Sequence, residues 1–339
     1  MVHRIRTIDA HAAGEPLRLI IEGLPSPEGK TMIEKRAWAQ KRLDHLRRSL
    51  MLEPRGHADM YGAILTEPVS EGSHAGVLFM HNEGWSTMCG HGVIAVTTIA
   101  IQRGLIWLGD LAGGSPAEIR YDTPAGRVTA RAEVETSGGE TAVRSVAFTN
   151  VPSFVLLAGL PVTVAGRTIP VDVSFGGAFY AVVDAEAAGL SVDAAKLPEL
   201  RGMGMAIARE VERLKVIVHP DDPALAGIYG TIFTAPAQHA DAHLRNVTVF
   251  ADAEVDRSPC GTGTAAVMAV LSEMGLLPID TPFVHESIVG TTFRGRVLDR
   301  RQAGDYAAIV PEIEGSAWVT GEHTFLIDGD DPLKAGFRI

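Results

Sequence analysis

The chain has 339 residues, about twice the length of an ordinary single domain, and this length favours two separate cores. Its formal net charge of −11, with lysine and arginine scattered along the chain, argues against nucleic acid or an anionic membrane as the partner. A small molecule is therefore the expected partner, and a homodimer stays open. No apolar run reaches the roughly 18 residues of a membrane span, and the first residues lack the apolar region of a secretory signal. We therefore expect a cytoplasmic protein.

The predicted elements, taken in chain order, form two similar series. The opening RIRTIDAHAAGEPLRLIIEG predicts two strands around a turn, and residues 31–52 predict one long amphipathic helix. The strands YGAILTEP and AGVLFMHNEG then lead to a cysteine. Alternating strands open the second half, followed by a helix over residues 193–214, the strands IYGTIFTA and NVTVFADAEVD, and the other cysteine. This repetition predicts an internal duplication of two mixed α/β domains, covering residues 1–155 and 156–319.

The only two cysteines lie in matching motifs, MCGHGVIAVTTIAIQRGL and PCGTGTAAVMAVLSEMGL. Each motif predicts a buried helix that begins at a glycine-flanked cysteine, because the residues that follow are apolar all round. The first turn of a helix leaves backbone N–H groups without intrahelical partners and carries a partial positive charge. Such a position is expected to lower the pKa of a thiol, and the same N–H groups hold a carboxylate well. The sequence therefore predicts that Cys89 and Cys260 act as an acid/base pair on a carboxylated substrate.

The two cysteine motifs are open to several other interpretations. Lone buried cysteines are usually packing residues, but the duplication argues against that, and a reducing cytoplasm argues against a disulfide. Both motifs match the G-x-G-x-x-[G/A] pattern of dinucleotide sites, yet neither follows an apolar strand. No metal-ligand spacing occurs, so we predict neither a metal nor an organic cofactor. A small-acid binding protein of the same fold would have no use for two reactive thiols.

Two further residues near the cysteines are candidates for substrate contacts. His91 lies two positions after Cys89, where the helix start would direct it into the same pocket. Asp256 lies four positions before Cys260 and could neutralise a substrate ammonium.

The chain resembles the proline racemase superfamily, which includes proline racemases, 4-hydroxyproline 2-epimerases and trans-3-hydroxy-L-proline dehydratases. The resemblance extends over nearly the whole chain, through MCGHG, DRSPCGTGT, DAHAAGEPLRL, EPRGHADMYGA and GGAFYA. It implies two similar domains of the diaminopimelate epimerase type, each a curled sheet around a central helix, with the active site in the interdomain cleft. It also implies that residues from about 320 to 339 return to complete the first domain.

The resemblance implies a role for each candidate residue without any cofactor. Cys89 and Cys260 would exchange protons with opposite faces of the substrate at Cα. The backbone of Gly90, His91, Gly261 and Thr262 would hold the carboxylate, and His91 and Asp256 would hold the ring nitrogen. Tyr61 and Phe250 would flank the pyrrolidine ring.

Two activities remain open on this resemblance. The segments EPRGHADMYGA and HNEGWSTMCGH are most similar to the trans-3-hydroxy-L-proline dehydratase branch, which usually has threonine at the position of Cys260. Dehydration needs a base on one face only, whereas inversion needs an acid/base group on each. The two thiols therefore favour a racemase or epimerase of proline or hydroxyproline, with the dehydratase as the alternative.

Overall fold

The computed structural model describes residues 2–106, 116–138 and 140–339. The described chain forms two compact units, of which unit 1 comprises Met1–Phe148 with Ser316–Ile339 and unit 2 comprises Thr149–Gly315. Residues 1, 107–115 and 139, which belong to the first predicted domain, lie outside the described residues. None of the described helices has the length and apolar character needed to cross a membrane.

Unit 1 is a mixed sheet packed around one apolar helix. Its elements before the boundary are β1 (Val2–Ala12), β2 (Glu15–Glu22), α1 (Met32–Arg42), α2 (Asp44–Met51), β3 (Tyr61–Thr66), β4 (Ala75–His81), β5 (Trp85–Ser86), α3 (Gly90–Gln102), β6 (Ala117–Thr123), β7 (Gly126–Ser137) and β8 (Glu140–Thr149). The strands pair in the order β1, β2, β3, β4, β6, β7, with parallel pairing of β2 to β3 and of β4 to β6. Every residue of α3 from Gly90 to Ile101 is buried, and the helix packs on β1, β2, β3 and β7.

Unit 2 repeats this plan and closes its sheet into a barrel around a second apolar helix. Its elements are β9 (Ser153–Val164), β10 (Arg167–Phe175), β11 (Phe179–Asp184), a short 3₁₀ segment (Ala194–Lys196), α4 (Leu197–Leu214), β12 (Ile228–Pro236), β13 (Leu244–Phe250), β14 (Glu254–Asp256), α5 (Gly261–Glu273), β15 (Phe283–Glu286), β16 (Thr292–Ala303) and β17 (Tyr306–Gly315). The pairing order β9, β10, β11, β12, β13, β15, β16, β17 returns to β9. Helix α5 lies against β9, β10, β11, β16 and β17. The chain then enters unit 1 again as β18 (Ala317–Asp328), antiparallel to β1.

The predicted fold class is confirmed, because each unit wraps a mixed sheet around one central helix. The buried helices follow from the apolar residues on all sides of α3 and α5, which leave no face suited to water.

The single helix predicted over residues 31–52 is wrong, since the structure breaks it at Leu43. Leu43 ends α1 and begins α2 with φ −112° and ψ −1°. The break allows the buried guanidinium of Arg47 to donate to the carbonyl oxygens of His81 and Asn82. The helical periodicity of the sequence continues through Leu43, so it could not predict this tertiary contact or the break.

Candidate active site

Cys89 is the N-cap residue of α3 and is only 4% exposed. Its Sγ accepts a hydrogen bond from the amide of Gly92 at 3.3 Å, as a serine oxygen does at a typical N-cap. A Cβ at position 92 would overlap the ring of Phe79 and lie 2.9 Å from the Cys89 sulfur. Glycine at this position therefore lets the first turn of α3 close around the thiol.

The Cys89 thiol lies beside an imidazole, which in turn contacts a phenol ring. Its sulfur is 3.3 Å from Nδ1 of His91, and the His91 ring meets the ring of Tyr61 edge to face at 4.8 Å. The Tyr61 hydroxyl donates to Oγ of Ser86 at 2.7 Å. The structure thus brings Cys89, His91 and Tyr61 together, as the sequence predicts, and adds Ser86 to this first half-site.

Cys260 is the N-cap residue of α5, and its Sγ accepts from the amide of Gly263 at 3.3 Å. Unlike Cys89, whose φ is −147°, Cys260 has a positive φ of 61°. Such a conformation costs a residue with a side chain about 1–3 kcal/mol, so the surrounding contacts must hold it. The second thiol is therefore presented by a strained turn, and the first is not.

The Cys260 thiol lies among hydroxyl groups. The Tyr180 hydroxyl is 3.8 Å from the sulfur and 2.6 Å from Oγ1 of Thr262. On the other side of the turn, Oδ1 of Asp256 accepts from the hydroxyl of Ser258 at 2.7 Å, and Oγ of Ser258 accepts from the amide of Cys260 at 3.1 Å. The structure thus connects Asp256 to the backbone of Cys260 through Ser258.

Phe250 is one of three aromatic rings in consecutive contact, and the last of them, Tyr180, lies near the Cys260 sulfur. The Phe250 ring stacks on Tyr229 at 5.4 Å, and Tyr229 meets Tyr180 edge to face at 5.8 Å. Sequence reasoning proposed Phe250 but missed Tyr180 and Ser258. Tyr180 lies in the GGAFYA segment of the family resemblance, which is the one sequence signal that could have drawn attention to it.

The four residues proposed as the carboxylate cradle lie in the first turns of the two helices. The first intrahelical hydrogen bonds run from Val93 to the carbonyl of Cys89 and from Thr264 to that of Cys260. The amides of Gly90, His91, Gly261 and Thr262 precede these bonds, which is where helices bind anions. Their use by a carboxylate stays a prediction.

The predicted lowering of the thiol pKa is wrong for Cys260. Burial, and secondly the negative charge of Asp256, raise the pKa of the Cys260 thiol to about 12, although the amide of Gly263 stabilises the thiolate. Burial also raises the pKa of Tyr180 well above its usual value. The Cys260 thiol is therefore protonated at neutral pH.

Replacing Asp256 with asparagine should lower the pKa of the Cys260 thiol. An adjacent anion disfavours the thiolate, so its removal leaves only burial to oppose ionisation. The pH dependence of alkylation at Cys260, followed by mass spectrometry of the modified peptide, should move towards lower pH. An unchanged or upward-shifted profile would show that Asp256 does not act on the thiol through its charge.

Among the residues that the structure describes, no three His, Cys, Asp or Glu side chains come together in a group that could hold a metal ion. Neither Cys89 nor Cys260 forms a disulfide.

Comparison with known proteins assigns the chain to a family. The family model of proline racemase matches residues 7–338. A trans-3-hydroxy-L-proline dehydratase from Bacillus thuringiensis subsp. konkukian is 49% identical, over 98% of this chain and 97% of the relative. A proline racemase from Acetoanaerobium sticklandii is 39% identical, over 99% and 98%. The crystal structure of a hydroxyproline epimerase from Agrobacterium vitis, with bound trans-4-hydroxy-L-proline, superposes with a TM-score of 0.89 at 29% identity, over 99% and 96%. The chain therefore belongs to the proline racemase family of enzymes.

Proposed function

We propose that the protein dehydrates trans-3-hydroxy-L-proline, with Cys89 as the base that removes the α-proton. The observation that carries this proposal is the 49% identity, along nearly the full length, to a relative named as this dehydratase, against 39% to the proline racemase. The proposal replaces racemisation, which the two thiols alone favour, as the principal activity.

The stereochemistry of the substrate explains why one thiol is sufficient. In trans-3-hydroxy-L-proline the carboxylate and the hydroxyl lie on opposite faces of the ring, so the α-hydrogen and the hydroxyl share a face. The Cys89 thiolate takes the α-proton, and the electron pair left on Cα forms the Cα–Cβ double bond as the bond from Cβ to oxygen breaks. The departing hydroxide takes the proton from the Cys89 thiol, which releases water and restores the thiolate.

The first half-site supports this chemistry through its hydroxyl groups. Tyr61 and Ser86 form a hydroxyl pair next to His91, which contacts the Cys89 sulfur. A hydroxyl on the reacting face of the ring would find hydrogen-bond partners there. A ring without a hydroxyl cannot make these additional hydrogen bonds, which favours a hydroxylated ring over plain proline.

The remaining roles follow from the family resemblance and belong to the same proposal. We assign the carboxylate to the amides of Gly90, His91, Gly261 and Thr262. His91 and Asp256 hold the ring nitrogen, and Tyr61 and Phe250 flank the ring. Both half-sites serve one substrate molecule in this proposal.

Inversion at Cα is a second candidate activity, and the Cys260 thiol favours it. A thiol whose pKa is raised to about 12 keeps its proton at neutral pH, so it would be ready to protonate the carbanion from the other face. Inversion of trans-4-hydroxy-L-proline is the appropriate assay, because this ring lacks a leaving group at C3.

The two activities are separated by assaying purified enzyme with trans-3-hydroxy-L-proline, trans-4-hydroxy-L-proline and L-proline. Chromatography would follow the cyclic imino acid formed by loss of water, and chiral chromatography would follow the inverted isomers. We expect dehydration of the 3-hydroxy substrate to have the highest kcat/KM. Faster inversion of either other substrate, with no dehydration, would overturn the proposal and return the enzyme to the racemase class.

A further inference from the structure

The two half-sites have equivalent positions that can be matched strand by strand. In each unit, an acidic residue at the end of a strand accepts hydrogen bonds from two consecutive backbone amides: Asp122 on β6 and Glu286 on β15. The residues immediately before them, Tyr121 and His285, are therefore equivalent. The strand pairing agrees, because Tyr121 pairs with the first residue of β4 and His285 with the first residue of β13.

The turn that leads to the cysteine differs between the two units. Phe79 and Thr248 hold the same position on β4 and β13, and they pair with Ser86 and Asp256. Two residues separate Ser86 from Cys89, whereas three separate Asp256 from Cys260. The additional residue accompanies the positive φ at Cys260, which the shorter turn does not show at Cys89.

A buried network holds the longer turn. The carbonyl oxygen of Pro259, directly before Cys260, accepts from Nδ2 of Asn246 at 3.1 Å and from the hydroxyl of Thr264 at 3.1 Å. The Thr264 hydroxyl lies 2.9 Å from Nδ1 of His285. Asn246, Thr264 and His285 are each fully buried, on β13, α5 and β15.

The hydrogen bonds determine the form of the histidine. Since the single proton of the Thr264 hydroxyl is donated to Pro259, Nδ1 of His285 must donate to Thr264. Nε2 of His285 then carries a lone pair and no proton. In the described part of the chain, Nε2 has no hydrogen-bond partner. Leaving a lone pair without a partner costs less free energy than leaving a buried N–H group without one, which agrees with this tautomer. Burial lowers the pKa of His285 to about 3, so the ring stays neutral.

Unit 1 has none of this network at the equivalent positions. Valines occupy the places of Asn246 and Thr264, namely Val77 on β4 and Val93 on α3. Tyr121, in the place of His285, has its hydroxyl 3.3 Å from Oγ1 of Thr97, one turn further along the helix. The network thus accompanies only the thiol with the strained backbone.

We propose that Asn246, Thr264 and His285 are positioning residues that hold the Cys260 thiol for proton transfer to one face of the substrate. Asn246 and Thr264 hold the Pro259 carbonyl by hydrogen bonds, and His285 orients the Thr264 hydroxyl. Together they fix the peptide plane between Pro259 and Cys260 and so set the direction of the sulfur. This inference rests on the proposed role of Cys260 as the acid in inversion. It predicts that damage to the network affects the Cys260 step and spares the Cys89 step.

The test is Thr264→Val, which places in α5 the residue that α3 carries at the equivalent position. We expect kcat for inversion of trans-4-hydroxy-L-proline to fall at least about tenfold with KM little changed, because small misplacements of a reacting group cost up to about 10² in rate. Dehydration should stay within about twofold of wild type. The separate variant Thr264→Ser keeps the hydroxyl and should invert trans-4-hydroxy-L-proline at close to the wild-type rate. Thr98→Val is the matched control, since Thr98 is a buried threonine of α3 whose hydroxyl donates to Ile94.

A second readout is independent of which reaction the enzyme catalyses. Peptide mass spectrometry gives the alkylation rates of Cys260 and Cys89 in the same sample, and Thr264→Val should raise their ratio at least about threefold as the turn loosens. If wild type inverts nothing but the ratio still rises, the network positions Cys260 and the role in inversion is wrong. An unchanged ratio together with unchanged inversion overturns the inference. Should Thr264→Val fail to fold, His285→Leu removes the donor behind Thr264 and is judged by the same readouts.

Discussion

Replacing Cys89 with serine is expected to abolish dehydration and inversion together. In the proposed mechanisms both reactions begin with removal of the α-proton by the Cys89 thiolate, and a serine hydroxyl is far too weak an acid to ionise in its place. We expect kcat/KM for trans-3-hydroxy-L-proline to fall at least about 10³-fold, within the range that acid/base catalysis supplies. Initial rates of formation of the cyclic imino acid would measure the loss.

Serine is the appropriate replacement because it preserves the structure of the helix start. The serine oxygen can accept from the amide of Gly92 as the Cys89 sulfur does, so α3 keeps its N-cap. Circular dichroism and thermal unfolding should match wild type. Retention of more than about a tenth of the wild-type rate by this variant would mean that another group removes the α-proton.

The sequence predicted the two cysteine turns well because their physical causes are local. A cysteine followed by glycine and an apolar run predicts a buried helix with the cysteine at its start, and Cys89 and Cys260 are both N-cap residues. His91 is likewise near its thiol because two positions at a helix start are close in any fold. The helix starts and the position of His91 therefore depend on local geometry alone, and predicting them needed no tertiary information.

The parts that the sequence did not predict depend on contacts between distant segments. Tyr180 reaches the Cys260 sulfur from β11, and nothing within its own segment indicates that contact. The raised pKa of Cys260 has a similar origin. The helix-start argument considered only the stabilising groups at the start of α5, whereas burial and the charge of Asp256 outweigh the hydrogen bond from the Gly263 amide.

The duplicated motif also did not reveal the difference between the turns that lead to Cys89 and Cys260. The alignment of the two C-G-x-G motifs places Val93 against Thr264, a substitution that looks conservative in shape. Only the structure shows that the threonine hydroxyl donates to the Pro259 carbonyl. Reading the motifs as equal therefore predicted two similar thiols, although the turn before Cys260 is one residue longer and strained.

Replacing Cys260 with threonine should separate the two activities. In the proposed inversion Cys260 is the proton donor, and a threonine hydroxyl is too weak an acid to protonate the carbanion in its lifetime. We expect inversion of trans-4-hydroxy-L-proline to fall at least about 10³-fold, while dehydration of trans-3-hydroxy-L-proline stays within about tenfold of wild type. Chiral chromatography and imino-acid formation measure the two reactions on the same preparation.

Cys260→Ser is the control for the backbone at this position. A β-branched residue is disfavoured at the positive φ of Cys260, so threonine could disturb the turn through its shape alone, whereas serine could not. If both variants lose inversion and keep dehydration, the missing thiol is the cause. If both lose dehydration as well, the second thiol takes part in that reaction, and elimination is not confined to the Cys89 face. If wild type dehydrates efficiently and inverts neither substrate, Cys260 is no opposite-face acid, and its strained, buried turn serves substrate binding alone.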